Sequence, residues 1–399
     1  MTTEKARPHR RDFMKATAIA GGIAALGVGP AAEKWYPWPR ARQERARPHP
    51  DSVHTNISQA QSVPKAALSM PGPFPGVVAE VEHPGATSGR AVDAAVVAAM
   101  LDAGMSGLTG AADPRDAWRA FFEPGDRVGI KVNPIGGRLH FTAHELVAGI
   151  ISKLESVAVP RSNIVIWDRY EHQLTGVGFT PERYNGIECI GLTYVDRSSG
   201  REVWRGEDRI DEDAFFECDH ERRLSDDNLR YMIHGGQRSH FTSILTQRVD
   251  KVINVPIFKT SGFEPSLCLK GLAFGSTSNC SRGHDIFTRY ISEVCAMPPV
   301  RDKTVLNIID GLFCCYSGSG APVAQFMFNS NRLFFATDPV AADTVGWQRL
   351  FEKQVAEGVN ETRTLEESFA RHDYLVRSEN LGLGVHLLER IDNRRIALG

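Results

Sequence analysis

The segment Arg127–Asn133 (RVGIKVN) decides the fold, because a short, mostly apolar run after a turn predicts a buried strand. The turn is Glu123–Asp126 (EPGD). Apolar residues then recur at helical spacing from Leu146 to Leu154, and Asn163–Asp168 (NIVIWD) forms a second apolar run. A strand, a helix and a strand in this order predict a βαβ unit with parallel strands.

Polar residues mark the predicted helix starts. Thr142 and Glu145, three residues apart, have the pattern of a capping box before the first helix. Asp113–Pro114 and Asp338–Pro339 each place an aspartate at the N-cap and a proline at the first helical position. The N-cap position alone explains Asp338, which we therefore assign a structural role.

Three more apolar runs predict buried strands, at Lys251–Pro256, Thr304–Ile309 and Arg332–Ala336. Residues 196–249 break this rhythm, because they are dense in charged residues and serine. Their composition predicts a polar insertion, which is either an ordinary polar excursion of the chain or a lid over the sheet. The sequence therefore predicts an α/β fold with a mainly parallel sheet flanked by helices and an insertion around 196–249.

The N-terminus resembles a twin-arginine (Tat) signal peptide, which we assign to residues 1–32. His9–Lys15 (HRRDFMK) carries the paired arginines, and the apolar stretch after it is shorter than the ~20 residues that span a bilayer. This resemblance implies export by the Tat translocase to the periplasm or the cell exterior, without a permanent membrane anchor. Residues 33–66 are poor in aliphatic residues and predict a disordered linker, so that 67–399 form the folded domain.

Charge and cysteine content narrow the classes of partner. The net charge of −2 gives no broad basic field, so we expect no nucleic-acid partner. The seven cysteines are an odd number, and at least one stays outside any intrachain disulfide. Their spacing does not support an iron–sulfur cluster.

Polar residues end several of the predicted strands. Asn133, Asp168 and Asp310 lie at strand ends, Lys259 lies just beyond one, and Lys131 shares a strand face with Asn133. Ligands of open parallel sheets bind beyond the carboxyl ends of the strands. We therefore expect a site with two carboxylates and two ammonium groups at this edge.

Five segments together resemble the DUF362 family, whose function is not established. They are 128–133 (VGIKVN), 252–260 (VINVPIFKT), 268–275 (CLKGLAFG), 309–311 (IDG) and 337–343 (TDPVAAD). Some relatives are fused to ferredoxin-type domains, which implies redox or radical chemistry for the family. The chain departs from the family pattern at Ser261, where many relatives have histidine, and at Gly271, where asparagine is common.

Two functions follow from these residues. In the first, the protein is a periplasmic enzyme acting on a small anionic substrate. Lys131, Asn133 and Lys270 bind the substrate, Lys259 binds charge or takes part in catalysis, and Asp168 or Asp310 is an acid/base or a metal ligand. In the second, it is a non-catalytic periplasmic protein that binds a metal or a solute. Each lysine also has a simpler interpretation, as a solvated strand end or as a partner of Asp168 or Asp310.

Cys280 and His284 lie four residues apart in an unusual polar stretch. This spacing suits a thiolate and an imidazole on one soft cation, Zn, Cu or Fe. The pair also suits a nucleophilic thiol and its base, with Arg282 stabilising the thiolate. A third interpretation is structural, with a buried thiol and an imidazole that caps the next helix. Asp343, inside the last predicted helix, is a weaker site candidate.

Overall fold

The computed structural model describes residues 48–195, 202–204, 209–220, 237–261, 264–318, 321–359, 364–370 and 373–399. The predicted signal peptide and the first part of the predicted linker, together residues 1–47, lie outside these ranges. Within the described part, no helix has the length and apolar character needed to cross a membrane.

The strands are β1 (Val77–Glu82), β2 (Thr87–Ser88), β3 (Ala91–Val92), β4 (Val128–Lys131), β5 (Ile164–Tyr170), β6 (Glu188–Val195), β7 (Glu202–Trp204), β8 (Ile210–Glu217), β9 (Arg238–Thr242), β10 (Lys251–Asn254), β11 (Ile257–Ser261), β12 (Glu264–Pro265), β13 (Thr304–Cys315), β14 (Met327–Ala336) and β15 (Asp392–Ala397). The α-helices are α1 (Ile57–Gln61), α2 (Ala94–Thr109), α3 (Pro114–Arg119), α4 (His144–Ser156), α5 (Glu171–Gly176), α6 (Cys268–Gly275), α7 (Phe287–Ala296), α8 (Pro298–Arg301), α9 (Pro339–Ala356), α10 (Leu365–Phe369) and α11 (Asp373–Asn380).

One large mixed sheet organises the described residues. Its strand order is β15-β1-β14-β13-β10-β4-β5-β6-β7, and β11 with β12 joins it alongside the far half of β13. The run β13-β10-β4-β5-β6 is parallel, whereas β14 is antiparallel to both β13 and β1. The predicted α/β fold with a mainly parallel sheet flanked by helices is confirmed.

Strand alternation divides the core between the two faces of the sheet. Ile130 and Ile166 point to the face covered by α2 and α4, where Met100 and Ile150 are also buried. Trp167 points to the other face, against α6 and α7. The predicted strands are buried on both faces, which explains why they are nearly continuous apolar runs.

Residues 48–66 pack on the domain, although the sequence predicted a linker up to residue 66. Val53 and Ala60 are buried, and the carbonyls of Val53 and Ala60 accept hydrogen bonds from Arg289 and Arg301. The prediction from low aliphatic content was wrong for residues 48–66, because Arg289 and Arg301 of the domain bind backbone carbonyls of this segment.

Thr142 does not form the predicted capping box. The N-cap of α4 is Ala143 and has no side-chain cap. Thr142 Oγ1 instead accepts the Asn133 N–H at 2.8 Å and donates to the Val255 carbonyl at 2.8 Å. The predicted capping box was wrong because the Thr142 hydroxyl forms tertiary hydrogen bonds instead.

Three buried aspartates satisfy backbone N–H groups at helix starts. Asp310 accepts the Ala143 N–H before α4 at 2.7 Å. Asp338 is the N-cap of α9, as predicted, and its carboxylate also accepts the N–H groups of Gly76 and Val385. Asp343 accepts the first two N–H groups of α6, those of Cys268 and Leu269, at 2.7 and 3.2 Å.

Replacing Asp343 with alanine should lower the free energy of unfolding by about 2–3 kcal/mol, because two buried N–H groups lose their acceptor. Urea denaturation followed by circular dichroism measures the change. Asp116→Ala is the matched control, since Asp116 is exposed on α3 and its loss should change stability by less than about 0.5 kcal/mol. Equal stability of Asp343→Ala and the unchanged protein would refute this role.

Candidate functional site

The strand order reverses at the boundary between β4 and β10. The chain proceeds from β4 through β5 to β6 on one side, and then from β10 to β13 on the other. In open parallel sheets such a switch point leaves a crevice at the carboxyl ends of the two strands. Here Thr142 bridges the loops after β4 and β10, so the protein's own chain occupies the base of the crevice.

Asn133 lies at this edge in a local turn. Its side-chain oxygen accepts the N–H of Ile135 at 3.2 Å, and its backbone N–H is bound by Thr142. The side chain is half-buried. The structure therefore places Asn133 at the expected strand end, with its carboxamide oxygen already engaged by the turn.

Lys131 and Asp168 form a buried ion pair. Lys131 Nζ lies 2.8 Å from Asp168 Oδ1, and both side chains are less than one-tenth exposed. Lys131 Nζ also lies 5.5 Å from the centre of the Trp167 ring. This pairing is the simpler of the two interpretations that the sequence left open for Lys131. The carboxylate offsets the ammonium charge, so this pair adds no net positive charge to the edge.

The end of α6 closes over this ion pair. A Cβ atom on Gly275 would lie 2.4 Å from Lys131 Cε and 2.6 Å from Nζ. Arg169, next to Asp168, donates to the carbonyls of Phe274 and Thr277 and holds this end of the helix. Gly275, the last residue of the CLKGLAFG segment, thus has a packing reason, which is the close approach of Lys131.

Lys259 is a second buried ammonium, and its surroundings differ. It is 2% exposed, and its Nζ donates to the Ser266 hydroxyl at 3.2 Å and to the Thr260 carbonyl at 3.4 Å. Burial, and then the charge of Lys270, lower the pKa of Lys259 to about 7. This side chain therefore gains and loses a proton near neutral pH.

His140 lies close to Lys259 and was not among the residues predicted from the sequence. It is 2% exposed, and burial together with the charge of Lys259 lowers its pKa to about 3. Its Nδ1 has no hydrogen-bond partner within the described residues. Cys315 faces Lys259 across the β11–β13 ladder. The only signal for His140 in the sequence was its position in the loop after β4.

Asp310 serves the backbone at this edge. Its carboxylate accepts the N–H of Ala143 at 2.7 Å and that of Leu312 at 3.1 Å. Burial raises its pKa to about 6. These two hydrogen bonds explain why a carboxylate can be buried at this position without a bound ligand.

The Cys280–His284 stretch forms a 3-10 helix, and its two side chains have different surroundings. Cys280 is buried in the apolar cluster around α7. The exposed His284 ring packs on Phe274, with 4.6 Å between ring centres, and Lys270 Nζ lies 4.9 Å from the Phe287 ring centre. In the described part of the chain, no group of three His, Cys, Asp or Glu side chains could hold a metal ion.

Lys259→Met should be more stable than the unchanged protein at pH 7, and this advantage should shrink at higher pH. The folded pKa of about 7 is below the ordinary 10.5, so between these values the amine must give up its proton on folding, and this cost falls as the pH rises towards 10.5. Urea denaturation at pH 7 and pH 9.5 should show the gap falling by about 2–3 kcal/mol.

Lys153→Met provides the control, because Lys153 pairs with Asp102 at 2.6 Å on the outside of α4. Its stability difference from the unchanged protein should stay constant over the same pH interval. A constant difference for Lys259→Met as well would contradict the lowered pKa of Lys259.

The comparison with known proteins concerns the middle of the chain. No curated protein matches the sequence. Residues 226–348 match the model of DUF362, a domain of unknown function. Four of the five segments noted in the sequence lie in this range, together with Lys259, Lys270, Asp310 and the Cys280–His284 stretch, whereas 128–133 lies outside it. The match supports the DUF362 family for the part of the chain that carries Lys259.

Proposed function

We propose that the protein is an exported enzyme that binds a small anionic substrate at the carboxyl edge of β10 and β11, with Lys259 as its proton-transfer group. The observation that carries this proposal is the buried Lys259 amine with a pKa of about 7. General acid–base groups work best when their pKa lies near the working pH. Buried groups with strongly shifted pKa values cluster at functional sites.

The charges around Lys259 favour an anion. Lys270 lowers the pKa of Lys259, so the two ammonium groups repel each other across the edge. A carboxylate or phosphate near both would offset that repulsion and raise the pKa of Lys259. Lys131 contributes less than its sequence position implied, because Asp168 neutralises it. Lys259 and Lys270 are therefore the proposed anion-binding pair.

Catalytic roles for Asp168 and Asp310 remain predictions, with less support than Lys259. Asp168 is paired with Lys131, and Asp310 accepts two backbone N–H groups, so either would have to leave its present partner to act on a substrate. His140 is better situated. It is near Lys259, and its Nδ1 has no hydrogen-bond partner in the described residues, so it is the second group that we propose for proton transfer.

A non-catalytic binding protein is the second candidate. This candidate rests on the burial of Lys259. Because the amine is only 2% exposed, it can contact only a ligand that is itself fully buried in the site. In this case the Cys280–His284 stretch would remain the proposed place for a Zn, Cu or Fe ion. Metal analysis of chelator-free protein, with Cys280→Ala for comparison, tests that part, and no stoichiometric metal in the unchanged protein would refute it.

Small anions should stabilise the protein against heat, and more strongly at pH 6 than at pH 8. Below a pKa of about 7 Lys259 is an ammonium group, whereas above it most of this charge is lost. Differential scanning fluorimetry with phosphate, acetate and succinate measures the shift in melting temperature. Lys259→Met and Lys270→Met should each lose most of it, and Lys153→Met should keep it.

An unchanged shift in Lys259→Met would contradict anion binding at this edge. Turnover of the stabilising anions then separates the two candidates. Loss of that turnover in Lys259→Met supports the enzyme, and stabilisation without turnover supports the binding protein.

Replacing Arg10 and Arg11 with lysine should leave the unprocessed protein in the cytoplasm, because the Tat translocase requires the paired arginines. Cell fractionation with antibody detection measures the distribution. Arg40→Lys is a control that keeps the chain charge and lies outside the paired-arginine motif. Periplasmic protein at the unchanged level in the double variant would refute Tat export.

A further inference from the structure

A cavity of about 290 Å³ lies away from the Lys259 edge, between the second half of α9 and strands β1 and β14. Phe258 lines it. Successive residues of a strand point to opposite faces, so Phe258 and Lys259 project to opposite sides of β11. The cavity is near the lower limit of small-molecule sites. We call it the Arg395 pocket.

The base of the Arg395 pocket is a buried carboxylate that the protein already satisfies. Glu80 accepts hydrogen bonds from Arg349 at 2.8 Å and from Asn393 at 2.9 Å. Burial opposes ionisation of Glu80, but the bonds from Arg349 and Asn393 hold its pKa below the ordinary value. Glu80 is therefore a fixed anion that positions the arginines around it.

The wall of the pocket contains a polar group without a partner. Ser330 is 4% exposed, and its hydroxyl makes no hydrogen bond to any described residue. Arg332, two residues along β14, has its Nε 3.2 Å from Glu80 Oε1 but outside hydrogen-bond geometry. Buried hydroxyls in native proteins normally have partners, so the Ser330 hydroxyl is a donor that a group bound in this pocket would satisfy.

The lining of the pocket is rich in charged side chains. Four cationic side chains line the pocket, and they meet three carboxylates, those of Glu80, Glu82 and Glu352. Arg395 is the most exposed cation and reaches Glu80 only at 3.8 Å. Lys353 pairs with Glu357, which lies outside the pocket lining. Glu357 offsets the charge of Lys353, so Arg395, with its long ion-pair distance and high exposure, is the lining cation most open to an anion.

One side of the pocket is aromatic. Phe258 and Phe328 both line it, and Lys353 Nζ lies 4.7 Å from the Phe328 ring centre. An aromatic wall beside a cationic rim suits a ligand with an apolar body and an anionic end.

We propose that the Arg395 pocket binds a small monocarboxylate with an aromatic or compact apolar body. Its carboxylate lies between Lys353 and Arg395 and accepts a hydrogen bond from Ser330, while its body packs on Phe258 and Phe328. This site is separate from the Lys259 edge and does not depend on the function proposed for it.

Isothermal titration of the purified protein with phenylacetate tests the site. We expect saturable binding with a dissociation constant on the order of 1 mM, which is typical of a ligand of about ten non-hydrogen atoms. Lys353→Gln combined with Arg395→Gln should weaken binding about tenfold or more, because the carboxylate loses both cations. The neutral analogue 2-phenylethanol should show no saturable binding.

Two control variants test whether phenylacetate binds in this pocket. Arg390→Gln removes an arginine of similar exposure, 53% against 65% for Arg395, outside the pocket, and should bind phenylacetate normally. Lys259→Met leaves the Arg395 pocket intact and should keep the phenylacetate binding that the double variant loses, whereas any phenylacetate bound at the Lys259 edge should be lost only in Lys259→Met, so the two sites give different results. Thermal unfolding confirms that each variant is folded. No saturable binding to the unchanged protein, or equal binding by the folded double variant, would overturn the proposal.

Discussion

Buried carboxylates bind the N–H groups of helix starts, and the arrangement of the carboxyl edge depends on them. Asp310 binds the backbone before α4 from β13, and Asp343 binds the start of α6 from within α9. Asp338 caps its own helix and also holds Gly76 before β1 and Val385 before β15. Helix N-termini present N–H groups that must find acceptors when they are buried. These aspartates join segments that are distant in the sequence.

This arrangement changes the interpretation of two segments that resemble DUF362. Asp338 and Asp343 are the acidic residues of TDPVAAD, and Asp310 is that of IDG. Each accepts backbone N–H groups from another segment of the chain. Their carboxylates are therefore accounted for by the fold. Lys259, in the neighbouring segment 252–260, instead donates to the Ser266 hydroxyl and the Thr260 carbonyl, and burial lowers its pKa to about 7.

The sequence was sufficient for features that depend on local patterns. The strands around Ile130 and Ile166, and the cap at Asp338, follow from nearby residues and were predicted correctly. Thr142 was assigned wrongly, because its partner Val255 is remote in the chain. The site shows the same limit. Lys131 and Lys259 are both strand-end lysines in the sequence, yet only the tertiary structure pairs Lys131 with Asp168 and brings His140 near Lys259.

The position of β1 in the sheet has a consequence for how the chain folds. β1 is the first strand of the large sheet in the sequence, but its neighbours there are β14 and β15, near the other end of the chain. Pairing Val81 with Leu333 and Ile396 requires closure of very long loops. Such non-local pairing slows folding and leaves strand edges exposed during synthesis. The newly made chain therefore cannot complete the β1 region of the sheet until residues 327–397 have been synthesised.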